Sequence, residues 1–596
     1  MTEPTVEEIS RARPSRQAAV TFRLKVLVLQ AQRGIRNLIG GPRRHKANDS
    51  PEDFVVRSGL EHRSNLRTSR DPAELALQLG KIQNLRVAAK KLDGVFVPAG
   101  ETFGFWRQVG RATRRARFVD GRELREGCIV ATVGGGLCQL SNALHDLALR
   151  SDFEVLERHA HTQAVPGSAW ELGRDATVAW NHIDLRFRSP RAFRVRAELN
   201  HDELIVGFDF AEGPPVESTE SKPAKPRKLL NLLDSPASRS RLGACETCGQ
   251  RDCFRHDLPA AVRARNGVER TAYLLDAVTP EIRQYVADNA SEEDEALTPI
   301  DRRISDTDRY GWSLPRQLPQ RSASAAAIQR SLNARRKLSP PELRKLQMED
   351  TDRIARRYTD MLRYDSAEVF VDLPLLKELH RSGALGGRGV TVWLSRFPLK
   401  LVHELLDRAA LIYPDAPNLH DYRADESDVK DEWEALLGAS RIVTPHAFLA
   451  DRMRQFVDRS RVQRVAWQLP ESPKLAARPG RYLYFPGPTT AREGAYAVRE
   501  AARRLDLPVV ASGRHLESAH FWQGVKLLPS DSYPRQDAMV VVHPAVMKNR
   551  PTAALSALSM GTPLIVTAEC GLESSIQTVK FGDADALTEA IRGFLT

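Results

Sequence analysis

The sequence predicts an α+β domain followed by an α/β half built from two doubly wound, parallel-sheet domains. Residues 56–210 mix helical segments with strand-like segments of partly alternating hydrophobicity, which is typical of an α+β domain. From about residue 268 onward, strand-like runs alternate with helical segments, and that order favours parallel sheets. The chain has 596 residues, 42% of them hydrophobic, which is enough for several separate cores.

Residues 1–55 form a basic N-terminal arm. Its first 50 residues hold ten Lys or Arg and four acids. The net charge of this segment, +6, is half of the chain's net charge of +12. Apolar residues recur in it at helical spacing, namely Leu24, Val28, Ala31, Ile35 and Leu38, flanked by Arg23, Lys25, Arg33 and Arg36. One interpretation is a helix that lies on an anionic membrane surface. The alternative is a helix packed on its own protein, with arginines at the rim.

The α+β domain, residues 56–210, is predicted from three segments. Residues 81–92 have apolar side chains at helical spacing, whereas residues 178–187 and 193–210 are rich in β-branched and aromatic residues and predict strands. The residues that follow, 211–240, are rich in Pro, Ser, Lys and Glu and predict a solvated linker.

Residues 241–267 form a cysteine-cluster loop. Four candidate metal ligands lie within twelve residues of this loop, namely Cys245, Cys248, Cys253 and His256. Thiolates with an imidazole suit zinc, and thiolates alone suit an iron–sulfur cluster. The fourth ligand is either His256 or Cys570, and the alternative is a reduced loop without a metal.

The α/β half divides into an N-terminal lobe, residues 268–465, and a C-terminal lobe, residues 466–596. A charged, mostly helical insertion occupies residues 322–364 of the first lobe. The predicted strands are 271–278, 368–372, 390–394, 441–444, 482–485, 509–511, 538–542 and 563–567.

The first candidate site surrounds Cys138. Three glycines, 134–136, lead into a helix whose first turn contains the cysteine, and the positive end of the helix dipole favours a thiolate there. A strand ending in His159 and His161 follows, and then Asp175. Cysteine, histidine and acid in this order favour a nucleophilic centre acting on a peptide or acyl substrate. The alternative is a buried structural cysteine beside a tight turn.

Residues 58–208 resemble the VanW family, which is associated with B-type vancomycin resistance. The matching motifs are QNLRVAAKKLDG at 83–94, PAGETFGFW at 98–106, VGGGLCQLS at 133–141, ERHAH at 157–161 and GRDATV at 173–178. The resemblance implies a bacterial, cell-envelope or antibiotic-related context. The resemblance does not indicate which reaction, if any, the domain catalyses.

Residues 268–596 resemble the GT-B glycosyltransferases, most clearly from residue 439 onward. The matching segments are ASRIVTPHAFLADR at 439–452, YLYFPGP at 482–488 and MGTPLIVT at 560–567. The resemblance implies a pair of Rossmann-like domains with a nucleotide-sugar donor between them and its phosphates at a helix N-terminus. We expect Gly487 to lie at this donor site, and Lys548 and Arg550 to supply positive charge from its other side. The family's two cations fall here on Pro488 and Glu493, and its two glutamates fall on Lys548 and Ser556.

Three functions follow from these patterns. The first is glycosyl transfer to an envelope precursor or metabolite, the second is chemistry at Cys138, and the third is a non-catalytic binding or scaffold protein. Six cysteines in the whole chain and the lack of a long apolar run favour a cytoplasmic protein, with the basic arm as a peripheral contact to the inner membrane. The basic residues outside the arm are interleaved with acids, so nucleic acid is not an expected partner.

Overall fold

The computed structural model describes residues 16–51, 54–67, 74–125, 128–160, 175–211, 243–244, 269–301, 312, 314–315, 317–420, 423–471, 480–518 and 520–595. The chain forms two compact units. The first unit consists of Met1–Glu269, Arg363–Ala367 and Leu385–Arg388. The second consists of Arg270–Leu362, Glu368–Ala384 and Gly389–Thr596.

The described helices and strands of the first unit agree with an α+β class. The helices are α1 (Arg16–Gly40), α2 (Leu75–Leu92), α3 (Phe105–Val109) and α4 (Cys138–Arg150). The strands are β1 (Ser58–Asn65), β2 (Phe96–Val97), β3 (Thr102–Gly104), β4 (Asp120–Arg125), β5 (Cys128–Val133), β6 (Glu154–Glu157), β7 (Arg186–Arg188), β8 (Phe193–Leu199), β9 (Glu203–Phe210) and β10 (Gly243–Ala244). They form three small sheets, in the orders β1-β9-β8-β2, β3-β7-β6 and β10-β5-β4.

Aromatic side chains fill the core of the first unit. The rings of Phe153, Phe187, Phe193 and Phe208 contact one another, with centroid distances from 4.7 to 6.2 Å. Helices α2 and α4 bury their apolar faces in this same core. Sheet, helix and aromatic cluster therefore fix the position at which α4 begins.

Two predicted strands of the first unit differ in detail from the structure. The predicted strand 193–210 is an antiparallel hairpin of β8 and β9. The predicted strand 178–187 is wrong over most of its length, because the chain turns at Asn181, whose φ is +56°. An asparagine tolerates this left-handed conformation, and its Nδ2 donates to the Gln30 carbonyl at 2.8 Å.

The second unit alternates strands with helices. Its described helices are α5 (Pro280–Asn289), α6 (Ser324–Asn333), α7 (Pro340–Met361), α8 (Leu373–Arg381), α9 (Leu399–Ile412), α10 (Glu426–Gly438), α11 (Ala447–Met453), α12 (Ala495–Leu505), α13 (Thr552–Met560) and α14 (Ala584–Arg592). Its described strands are β11 (Arg270–Leu274), β12 (Glu295–Thr298), β13 (Gln320–Ser322), β14 (Ser366–Asp372), β15 (Gly389–Trp393), β16 (Arg441–Thr444), β17 (Val462–Arg464), β18 (Gly480–Phe485), β19 (Val509–Ala511), β20 (Ala538–His543), β21 (Leu564–Val566) and β22 (Gln577–Thr578). Each of the eight predicted strands corresponds to a strand of the structure.

Two sheets organise the second unit into an N-terminal and a C-terminal lobe. The N-terminal sheet has the order β13-β12-β11-β14-β15-β16-β17, and the C-terminal sheet has the order β19-β18-β20-β21-β22. The strands pair in parallel throughout the C-terminal sheet. Strand order reverses between β11 and β14 in the first sheet and between β18 and β20 in the second. Ligands of doubly wound folds bind at such reversals, beyond the carboxyl ends of the strands.

Candidate functional site

Cys138 is the first residue of α4, as the sequence predicts. Gly136, in the turn before it, has φ +96°, a value that favours glycine. A Cβ atom on Gly136 would lie 2.0 Å from Cγ of Lys81, and one on Gly135 would lie 2.4 Å from the Gly121 carbonyl oxygen. The space beside these two glycines is therefore filled by the domain's own atoms.

The Cys138 thiol is partly exposed, and its Sγ lies 3.5 Å from Oγ1 of Thr177. The segment that carries Thr177 is held along α4 because the Ala176 N–H donates to Oδ1 of Asn142 at 2.7 Å. The Thr177 N–H donates to the His159 carbonyl at 2.8 Å. The backbone of His159 is thus linked to the thiol's neighbour.

The His159 ring points to a different partner. Its Nε2 lies 3.4 Å from Oε1 of Glu157, and the side chain is 46% exposed. A nucleophile and its base require about 2.6–3.2 Å. Both Cys138 and His159 are described, and no contact of that kind joins the thiol to the ring. Asp175 is buried, and His161 lies outside the described residues. A catalytic role for Cys138, His159, His161 and Asp175 stays a prediction.

Lys81 is a feature of this site that sequence reasoning missed. The side chain is 5% exposed, and burial together with the charge of Arg122 lowers its pKa to about 8 against the opposing effect of Glu74. It packs against Gly136 in the turn that leads to Cys138. A lysine at the edge of a helical apolar stripe normally predicts an exposed residue, so the sequence contains no signal for its burial.

The predicted metal ligands Cys245, Cys248, Cys253 and His256 lie outside the described residues. Within the described ranges, no group of three or more His, Cys, Asp or Glu side chains is arranged to hold a metal ion. Cys570, the predicted alternative ligand, is buried in the C-terminal lobe, where its Sγ lies 3.6 Å from the His543 carbonyl oxygen. Burial raises the pKa of this thiol to about 11. The metal site stays a prediction.

A cleft of 740 Å³ lies in the second unit. Its walls include the segments that follow the carboxyl ends of β18 and β20, so it opens at the strand-order reversal of the C-terminal sheet. Four cationic side chains and one carboxylate line it, namely Arg344, Arg492, Lys548, Arg550 and Glu493. The volume is within the range of about 300–1,000 Å³ that small-molecule sites usually have.

Glu493 is the centre of a charged cluster in this cleft. Its Oε2 lies 2.7 Å from Nε2 of His543, the last residue of β20, and 2.7 Å from Nζ of Lys548. Burial alone would raise the pKa of the Glu493 carboxyl. The hydrogen bond from His543 and the charge of Lys548 outweigh burial and lower that pKa to about 2. Glu493 is therefore ionised at neutral pH.

His543 is almost completely buried, and burial lowers its pKa despite the nearby carboxylate. The neutral ring therefore carries its proton on Nε2, and this N–H donates a hydrogen bond to the Glu493 carboxylate. Its Nδ1 has no hydrogen-bond partner within the described part of the chain.

Gly487 packs directly against this cluster. A Cβ atom at this position would lie 3.0 Å from Oε2 of Glu493 and 3.1 Å from Nε2 of His543. The predicted donor-site residues Gly487 and Lys548 are thus both placed around Glu493. Glu493 itself was noted in the sequence only as the replacement of a family cation.

Arg550, the third predicted donor-site residue, lines the cleft but its guanidinium is already paired. It binds both carboxylate oxygens of Glu281 on α5, with the closest contact at 2.8 Å. The Glu281 side chain is 1% exposed, so this charge pair is well shielded from solvent. Arg550 therefore joins the two lobes.

A second connection between the lobes runs through His446. Its Nε2 donates to the Lys548 carbonyl at 3.0 Å, and its Nδ1 accepts from the Leu449 N–H, which caps α11. Burial lowers the pKa of His446 to about 4. The neutral ring positions the segment that carries Lys548.

The strand-order reversal of the N-terminal sheet also carries carboxylates that the sequence analysis missed. Asp372 ends β14, and Asp276 follows β11. Burial and the charge of Asp276 raise the pKa of Asp372 to about 7, although Ser395 donates a hydrogen bond to it. Asp276 itself is paired with Arg330 at 2.6 Å.

Backbone donors at the start of the short turn Ala491–Glu493 are occupied. The Ala491 N–H donates to Glu517, and the Arg492 N–H donates to Asn418. The cations that line the cleft are therefore side chains, and α13 starts two residues after Arg550.

Comparisons with known proteins agree with the first resemblance. A family model described as VanW like protein matches residues 80–208. Vancomycin B-type resistance protein VanW of Enterococcus faecalis is 34% identical over 147 residues, which are 24% of this chain and 53% of that protein. Uncharacterized protein YoaR of Bacillus subtilis is 36% identical over 125 residues, 21% of this chain and 41% of that protein. The chain thus spans about half the length of the first relative and less of the second.

Similar solved structures were found for the α/β half. The lipopolysaccharide outer core galactosyltransferase WaaB is 10% identical, with 55% of this chain and 91% of that chain covered and a TM-score of 0.33. UGT89C1 of Arabidopsis thaliana, complexed with UDP-L-rhamnose, is 12% identical, with 54% and 89% covered and a TM-score of 0.33. Residues 80–208 thus match the VanW family model, and two parallel-sheet α/β lobes follow them in this chain.

Proposed function

We propose that the α/β half of this VanW-domain protein binds a nucleoside diphosphate ligand, such as a nucleotide-sugar, in the cleft around Lys548. The observation that supports this most directly is the excess of cationic side chains on a 740 Å³ cleft at the carboxyl ends of β18 and β20. A diphosphate carries two or more negative charges and suits such walls.

The charged cluster suggests how the ligand is held. Lys548 is only 25% exposed and shares Oε2 of Glu493 with His543. An incoming phosphate competes with Glu493 for the ammonium group, while the N–H of His543 keeps the carboxylate satisfied. Arg550 remains paired with Glu281, so we assign it to joining the lobes rather than to binding phosphate.

Thermal shift against UDP-, GDP- and ADP-sugars tests this binding on the full chain. A ligand at 100 times its Kd stabilises the folded state by about 2.7 kcal/mol, which raises the Tm of a lobe of this size by several degrees. We expect one nucleotide class to produce this shift. Lys548→Met should remove the shift, whereas Lys580→Met, a change of an exposed lysine in the same lobe, should leave it intact. If no nucleotide raises the Tm of the wild-type chain, the proposal fails.

Glycosyl transfer is a second candidate, and Asp372 is the observation that favours it. A carboxyl with a pKa of about 7 at the strand-order reversal of the N-terminal sheet has the proton affinity that a general base requires at neutral pH. We expect Asp372→Asn to lower the rate of sugar release or transfer and to leave the nucleotide-induced thermal shift unchanged. Nucleotide binding without any turnover would instead favour the non-catalytic binding protein.

A further inference from the structure

Helix α1 packs on the rest of the first unit through its polar face. Arg33 binds both carboxylate oxygens of Glu157, with Nη1 at 2.6 Å from Oε2, and both side chains are about 15% exposed. Gln30 donates to the Trp180 carbonyl at 3.1 Å, and Asn37 accepts from Arg186 at 2.7 Å. These three residues lie at intervals of three and four, so they share one face of the helix.

The opposite face of α1 carries the apolar residues. Its exposed apolar side chains are Val20, Leu24, Leu27, Val28, Ile35, Leu38 and Ile39. Leu24 is 59% exposed and Leu38 is 88% exposed, whereas a surface helix usually turns such residues to the core. The arm is therefore packed on its own protein, as one interpretation of the sequence predicted, but with its apolar stripe outward.

The charge of α1 indicates what covers this stripe. The helix from Arg16 to Gly40 contains no Asp or Glu, and the exposed side chains of Lys25 and Arg36 lie beside the stripe. Exposed Arg43 and Arg44 follow its end. A second copy packed on this face would bring these cations together with no acid on the helix to balance them. An anionic lipid leaflet supplies both the apolar layer and the negative charge.

We infer that α1 is a membrane-surface anchor whose apolar stripe inserts into the interfacial region of an anionic leaflet while Arg33, Gln30 and Asn37 hold the first unit to it. No helix in the described ranges has the length and hydropathy to cross a bilayer, and the proposed contact lies in the plane of the interface. The occupant of this surface is the bilayer and not a free phosphate, because the stripe requires an apolar partner as well as a charged one.

Vesicle flotation of the full chain tests the inference. We expect binding to vesicles of phosphatidylcholine with about 30% phosphatidylglycerol, and little binding to phosphatidylcholine alone. Leu27→Ser combined with Ile35→Ser should weaken partitioning more than about tenfold. Lys25→Gln combined with Arg36→Gln should weaken it about 25-fold at low salt, at about fivefold for each cation. The matched control is Leu332→Ser combined with Leu411→Ser, which removes two exposed leucines from other helices and should not change binding.

Two results would overturn the inference. One is that the wild-type chain binds anionic and neutral vesicles equally well, or binds neither. The other is concentration-dependent self-association that the Leu27 and Ile35 changes abolish, without vesicle binding, which would make a second copy the occupant. Circular dichroism of each variant establishes that the helices remain folded.

Discussion

Replacing Glu493 by glutamine tests the charged cluster of the cleft directly. Glutamine keeps the shape of the side chain and can still accept the hydrogen bond from His543, but it removes the charge that faces Lys548 at 2.7 Å. The pKa of Glu493 falls from 4.5 to about 2 on folding. A shift of this size corresponds to about 3 kcal/mol of stability at neutral pH.

The sign of the pH dependence follows from the direction of the shift. Because the folded pKa lies below the unfolded one, the stabilisation is complete above pH 4.5 and is lost as the pH falls toward 2. We therefore expect Glu493→Gln to be about 3 kcal/mol less stable than wild type at pH 7. The difference should shrink by about 1.4 kcal/mol at pH 3.5.

Hydrogen exchange followed by mass spectrometry measures the opening free energy of individual segments, which is necessary because the chain contains two compact units. Peptides from β20 and α12 report the opening free energy around His543 and Glu493. Glu573→Gln is the control, since Glu573 forms only an exposed ion pair with Arg464 in the same unit and should change stability by less than about 0.5 kcal/mol. An equal loss in the two variants, or a loss at pH 7 that persists unchanged at pH 3.5, would refute the electrostatic account.

Three further predictions concern the rest of the chain. Lys81→Met should stabilise the first unit by about 3 kcal/mol at pH 7, because the lowered pKa of Lys81 makes its buried charge unfavourable below pH 8. This gain in stability should fall to about 1.4 kcal/mol at pH 9.5. Chemical denaturation at the two pH values measures both. His159→Ala should leave the rate of Cys138 alkylation within about twofold, measured peptide by peptide by mass spectrometry, and a tenfold fall would instead establish the predicted Cys–His pair. Anaerobically purified protein should contain zinc or iron that Cys245→Ser combined with Cys248→Ser removes, and elemental analysis without metal in the wild-type chain would exclude that site.

The strands of the α/β half were predictable because most are short, buried runs of β-branched residues. β20, with the sequence AMVVVH, is buried at all six positions. β12 was not predicted, because it contains Glu295, whose charge would normally exclude a fully buried strand. Arg321 on the neighbouring strand β13 pairs with that carboxylate, and sequence order gives no indication of this pairing.

The candidate site was predictable only where a motif marks it. Gly487 belongs to a segment that matches the family, and Lys548 was predicted from its charge; the structure brings both to Glu493. His543 was missed because its importance arises from a hydrogen bond to a residue 50 positions earlier in the chain. Asp372 was missed for a similar reason, since its raised pKa depends on burial and on Asp276, which approaches it only through the order of strands in the sheet.

The ion pair between Arg33 and Glu157 has a consequence for the energetics of α1. Many interfacial helices fold only when they reach lipid, and ordering the backbone then costs about 1–2 kcal/mol per residue. Helix α1 is already folded and its rotation about its own axis is fixed by Gln30, Arg33 and Asn37. Lipid contact would therefore leave the helical content unchanged and would orient the attached domain relative to the bilayer, so that the same side of the domain always faces away from the lipid.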